Sequence, residues 1–96
     1  MTFDTFIESA AQSDAPPASI SDVLCAMWWA EKGDWEASHD IAQDVNSKDG
    51  SWIHAFLHRW EGDAGNARYW YARAGKPECH DSLDQERHDI IRALLA

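Results

Sequence analysis

The chain has 96 residues, which suits one domain with a core of its own and leaves no room for a second. Its 17 acidic and 8 basic residues give a formal net charge of -9, which disfavours nucleic acid and anionic membrane surfaces as partners. No run approaches the roughly 18 apolar residues of a membrane span. Without a signal-like N-terminus, we expect a cytoplasmic protein in which Cys25 and Cys79 are free thiols.

The first 18 residues are expected to form an N-terminal arm or a short helix. Phe3, Phe6 and Ile7 have helical spacing. Pro16 and Pro17 then form a linker, because proline fixes φ and lacks an amide hydrogen. Residues 19–96 follow as a single helical domain.

A first helical hairpin is predicted directly after the linker. Ser19 or Ser21 can cap its first helix, and Gly33 is a natural stop. Asp34 can cap the second helix, which is expected to run to about Val45. Residues 46–50 read as a turn.

A second hairpin follows this turn, with Gly62 and Asp63 between its helices. The apolar positions recur at helical spacings on both sides of that turn, so each helix can bury one side. They are Ile53, Phe56, Leu57 and Trp60 before the turn, and Ala67, Trp70, Tyr71 and Ala74 after it.

The chain is predicted to end with one further helix. Ser82 and Gln85 have the spacing of a capping box. The residues on the buried side of this helix are expected to be Leu83, Arg87, Ile90, Ile91, Leu94 and Leu95. We expect the helix to cover an otherwise exposed end of the hairpin pair.

The two hairpins align as an internal repeat of about thirty residues. The second copy resembles a tetratricopeptide repeat, whose small, turn and aromatic positions match Ala55, Gly62-Asp63, Ala67, Tyr71 and Ala74. The resemblance implies an all-α, right-handed stack of two hairpins plus a C-terminal capping helix, about five helices in all. It also implies a module that binds a protein or peptide segment, or a second copy of itself. His54 and His58 depart from the pattern, which usually has leucine and an aromatic residue there.

His54, His58 and Glu61 lie on one stripe of their predicted helix. Two imidazoles one turn apart, followed by a carboxylate, can bind a divalent metal such as Zn²⁺. The alternative is that both histidines pack between helices and hydrogen-bond to Tyr71 or Asn66. That alternative requires no cofactor.

A third imidazole would strengthen a metal site. His39 lies on the second helix of the first hairpin, which in stacked repeats also touches the next hairpin. Sequence alone does not give its distance from the other two histidines. Surface exposure of His39 is the alternative.

The six tryptophans exceed what a generic helical core uses. A groove for a ligand or partner is predicted from Trp52, Phe56, Trp60, Trp29 and Trp28. The alternative is that these side chains fill a core that is short of leucine. No catalytic residue is assigned, because no nucleophile with a matching base and no phosphate-binding loop is present. The expected function is therefore an interaction module, with metal or ligand binding as the alternative.

Overall fold

The computed structural model describes all 96 residues and contains six α-helices and no strand, which confirms the all-α class. A membrane span would need a longer and more apolar helix than any of the six. The helices are α1 (Phe3–Gln12), α2 (Asp22–Lys32), α3 (Trp35–Ala42), α4 (Lys48–Trp60), α5 (Ala64–Ala74) and α6 (Leu83–Leu95).

The local capping signals define most of the helix ends. Ser21 accepts a hydrogen bond from the Leu24 amide and starts α2, and Gly33 ends it in the left-handed conformation with φ of 91°. Asp34 caps α3 by accepting from the Ala37 amide at 3.0 Å. These three caps are the ones that the sequence indicated.

The connection between α3 and α4 differs from the expectation in two respects. Helix α3 ends at Ala42, not near Val45. Ser47 caps α4, so residues 48–50 are helical and the predicted turn over residues 46–50 is too long. A Cβ atom on Gly50 would overlap the carbonyl oxygen of Val45, so glycine permits the tight approach of this connection to α4.

The helices form two hairpins that lie side by side. The two hairpins are α2 with α3 and α4 with α5, and they meet where α4 contacts both α2 and α3. Helices α1 and α6 pack on the α2 and α4 side, which leaves α3 and α5 as the outer helices of the opposite side. We refer to the side formed by α3 and α5 as the outer side.

The position of α6 corrects the expectation that it covers an exposed end. Helix α6 packs across α2 and α4 and touches α1, while its link to α5 is a side-chain hydrogen bond from Tyr71 to Glu86. Its buried residues Ile90 and Ile91 belong to the main core. The side of α2 and α4 that faces away from α3 and α5 is therefore covered by the chain itself.

The main core joins five helices, α1, α2, α3, α4 and α6, with Ala42 as the contribution of α3. Trp28 and Phe56 are its largest enclosed side chains together with Phe6, which brings α1 into the same core as the hairpins. Helices α4 and α5 can pack closely beside Tyr71, because the small side chains of Ala55 and Ala67 let the two backbones approach each other. Burial of these aromatic rings contributes much of the apolar area that stabilises so short a chain.

Candidate metal centre

Three histidines meet where the first hairpin contacts the second. His39 comes from α3, and His54 and His58 come from successive turns of α4. The Nε2 atoms of His39 and His54 are 3.0 Å apart, and one ring nitrogen from each histidine lies within 4.8 Å of the others. We call these three residues the histidine cluster. The structure thus brings His39 to the pair on α4, which the sequence left open.

The side chains of the histidine cluster are largely shielded from solvent. His54 and His58 are only 7% and 9% exposed, and His39 is partly buried. Burial, followed by the nearby His39 and His58 rings, lowers the pKa of His54 to about 4. His54 is therefore neutral at pH 7, and a lone pair on one of its nitrogens can accept a proton or bind a metal.

Glu61 contacts the histidine cluster from the C-terminal end of α4. Its Oε1 atom lies 2.7 Å from Nδ1 of His58. A carboxylate in this position favours a proton on Nδ1 and leaves the lone pair on Nε2. Glu61 and Asp63 also form a second group with His58, although the Asp63 carboxylate caps α5 through the Asn66 amide. Glu61, which the sequence indicated as a metal ligand, here orients a histidine.

Two tryptophan rings hold the histidine rings in place. Trp35 stacks on His39 with ring centroids 4.7 Å apart, and its indole nitrogen donates to the Leu57 carbonyl oxygen of α4. Trp70 of α5 stacks on His54 at 4.1 Å. Sequence analysis placed neither tryptophan beside a histidine, although Trp35 precedes His39 by about one turn of α3 and only the Trp70 contact joins two helices.

The alternative partners expected for His54 and His58 are wrong. Their ring nitrogens face His39 and Glu61, while Asn66 bonds to Asp63. Tyr71 donates instead to a carboxylate oxygen of Glu86 at 2.5 Å. The histidines are enclosed, but no backbone group or hydroxyl in the structure occupies their nitrogens.

Tyr71, Glu86 and Arg59 form a separate buried cluster, which we call the glutamate cluster. Glu86 is 3% exposed and accepts from both Tyr71 and the Nε of Arg59, the latter at 3.0 Å. Burial and the bond to Glu86 raise the pKa of Tyr71. Sequence analysis missed this cluster, although Glu86 lies three residues after Leu83 and four before Ile90 on the apolar side of α6.

The five aromatic residues expected to line a groove take two different positions. Trp28 and Phe56 are enclosed in the core at 0% and 1% exposure, so neither presents a surface to a ligand. Trp29, Trp52 and Trp60 are half-buried against the same core. The ammonium group of Lys76 lies 4.2 Å from the centre of the Trp52 ring. These five rings mainly supply core packing here.

The distance between the His39 and His54 nitrogens is close to what a tetrahedral ion requires. Zinc–nitrogen bonds of about 2.05 Å at a tetrahedral angle separate two ligand atoms by about 3.3 Å. The 3.0 Å between His39 and His54 is a few tenths of an ångström shorter. At this distance one of the two nitrogens can donate a hydrogen bond to the other.

Comparisons of this chain with protein-family models, with curated proteins and with solved structures found no match. Function therefore has to be inferred from the residues and their geometry.

Proposed function

We propose that the protein binds one divalent transition-metal ion, of the Zn²⁺ class, at His39, His54 and His58. The observation that carries this proposal is the convergence of three ring nitrogens from two helical hairpins within 4.8 Å. Imidazole suits zinc, nickel and copper, and three histidines leave a fourth position for water. No thiolate or main-chain oxygen is needed to complete the set.

The protonation state of the histidine cluster supports this proposal. A metal binds only the neutral form of imidazole, so each proton that must be displaced weakens the apparent affinity. The pKa of about 4 at His54 means that this ligand is already neutral at pH 7. Glu61 supports binding further, since a carboxylate on the second nitrogen of a metal-bound histidine orients the ring and raises its basicity.

Binding by all three histidines requires a small rearrangement. His54 and His58 are stacked almost in parallel, with centroids 5.1 Å apart, whereas a metal lies in the plane of each ring that binds it. One of the two rings must therefore tilt. Because Trp70 stacks on His54 and Trp35 on His39, the tilt changes the surroundings of both indoles, and tryptophan emission becomes the natural reporter.

The test is a calorimetric titration of the chelator-treated protein with Zn²⁺, Ni²⁺ and Cu²⁺, followed in parallel by tryptophan emission. We expect one ion per chain and a rise in melting temperature that grows with metal concentration. His39→Ala should abolish both effects. His39 is the best position to alter, because it is less buried than His54 or His58 and its loss disturbs the core least.

The matched control is His80→Ala, which removes an exposed histidine outside the cluster. It should bind the metal like the unaltered protein. Equal affinities in the His39→Ala and His80→Ala proteins would assign binding to surface groups and overturn the proposal. A melting temperature that no metal changes would overturn it as well.

An interaction module, which the repeat resemblance implies, remains a second proposal. Since α1 and α6 fill the α2 and α4 side, a partner would have to contact the outer side instead. The exposed ring of Tyr69 on α5 favours such a contact.

A further inference from the structure

The outer side of the molecule carries an arginine that has no carboxylate partner. The other arginines have one within 4.0 Å, and they are Arg59, Arg68, Arg87 and Arg92. Arg73 has none, although the chain contains 17 acidic residues. The charge of Arg73 is therefore free to pair with a group from outside.

Aromatic contacts hold Arg73 in a defined position on α5. Its Nη1 donates to the hydroxyl of Tyr69 at 3.1 Å, and its guanidinium carbon lies 5.8 Å from the Tyr69 ring centre and 5.4 Å from that of Trp70. Tyr69 is 53% exposed, which is unusual for so large a ring. Arginine, tyrosine and tryptophan are the residue types that dominate binding at protein interfaces.

Helix α3 offers the complementary charge on the same side. Glu36 and Asp40 are one turn apart, both are exposed, and neither has a basic group within 4.0 Å. The only basic-type residue of α3 is His39, which belongs to the histidine cluster. Helix α5, in contrast, contains two arginines and no acidic residue. The two outer helices thus carry unpaired charges of opposite sign, at Arg73 on α5 and at Glu36 and Asp40 on α3.

We infer that the protein forms a two-fold symmetric dimer through its outer side, in which α5 of each copy packs against α3 of the other. The charge pattern selects a second copy as the occupant, because the chain itself supplies the carboxylates that Arg73 lacks. In a two-fold dimer the contact between Arg73 and the pair Glu36 and Asp40 occurs twice. The Tyr69 side chain of each copy is covered by the other copy.

Salt concentration should govern the strength of this interface. The net charge of -9 opposes association of two copies over long distances. At about 0.1 M salt the screening length is about 10 Å, so this repulsion is screened while contacting charges still attract. We therefore expect the dimer to be strongest at intermediate salt.

Light scattering on a size-exclusion column and sedimentation velocity test the inference at about 0.15 M salt. The unaltered protein should move from monomer to dimer as its concentration rises. Arg73→Glu should weaken the dimer at least about tenfold, because two attractive contacts become repulsive. Adding Glu36→Arg and Asp40→Arg to that variant should restore the dimer.

Lys48→Glu is the matched control, since it makes the same charge change at an exposed residue at the start of α4. It should leave dimerisation unchanged. A protein that stays monomeric at every concentration would overturn the inference, as would a dimer that Arg73→Glu does not weaken. Zinc binding, measured on the same samples, involves other residues and reports separately on the metal site.

Discussion

Helix α4 contributes to two buried polar clusters, which differ in how the energetic cost of burying an ionisable group is reduced. In the glutamate cluster, the Glu86 carboxylate accepts hydrogen bonds from Arg59 and Tyr71. In the histidine cluster, burial lowers the pKa of His54 to about 4, so this ring is uncharged at pH 7. One cluster pairs a carboxylate with an arginine, and the other holds His54 in its neutral form.

The difference shows which cluster has spare binding capacity. Glu86 is 3% exposed and both of its oxygens have a donor, so the glutamate cluster joins α4, α5 and α6 and has little left to offer a ligand. The neutral ring of His54 retains a lone pair that a proton or a metal can satisfy. The glutamate cluster is therefore expected to govern stability, and the histidine cluster to govern metal affinity and pH dependence.

The largest expected effect removes the charge of the glutamate cluster. Glu86→Ala should lower the free energy of unfolding by about 3 kcal/mol, because Arg59 keeps a largely buried charge without its partner. Urea denaturation measures it. The control Glu78→Ala, in an exposed pair 4.0 Å from Arg68, should cost less than about 0.5 kcal/mol. Similar losses in the two variants would contradict a structural role for Glu86.

Low pH should destabilise the folded protein through the histidine cluster instead. The pKa of His54 is about 4 in the folded chain against about 6.5 for an ordinary histidine, so the unfolded chain binds more protons between these pH values. The stability of the metal-free protein should therefore be complete above about pH 6.5 and fall by at most about 3 kcal/mol as the pH drops to 4. Urea denaturation at a series of pH values measures the slope.

A ring that cannot be protonated provides the control for this pH dependence. His54→Phe preserves an aromatic surface for Trp70 and should reduce the slope between pH 6.5 and 4. His80→Ala, at an exposed position, should keep the full slope. An unchanged slope in His54→Phe would show that another group causes the acid sensitivity.

Replacing Glu61 should change the metal affinity more than it changes the free energy of unfolding. Glu61→Gln weakens the hydrogen bond to His58 and should lower zinc affinity about 10- to 100-fold. Because the Glu61 side chain is 39% exposed, the free energy of unfolding should change little in this variant. Competition with a coloured chelator measures the affinity, with the exposed Glu78→Gln as the matched control. Identical affinities in the two variants would remove Glu61 from the site.

The smallest expected effect comes from the removal of a single hydroxyl group from the glutamate cluster. Tyr71→Phe should lower the free energy of unfolding by about 1 to 2 kcal/mol, since Glu86 loses one of its two donors. Zinc affinity should stay constant. Tyr69→Phe, at an exposed tyrosine on the same helix, should stay within about 0.5 kcal/mol of the unaltered protein. A change in zinc affinity in Tyr71→Phe would show that the two clusters are coupled.

The comparison also shows which parts of the sites were accessible to sequence analysis. His54, His58 and Glu61 were identified because helical spacing alone places them on one stripe. The contact of His39 with His54 joins residues 15 positions apart and depends on how tightly α3 turns into α4. The glutamate cluster depends on α6 crossing α4, which no spacing within α6 reveals.

The sequence by itself determined the all-α class, the two hairpins and most helix starts, because caps such as Ser21, Asp34 and Ser82 act on amides three residues away. Only the tertiary structure decided where α6 lies, which tryptophans are enclosed and which histidines meet. Those features depend on the packing of distant apolar surfaces. Several arrangements of the same amphipathic helices satisfy one pattern of spacing, and the fit of side chains such as Trp28 and Phe56 selects among them.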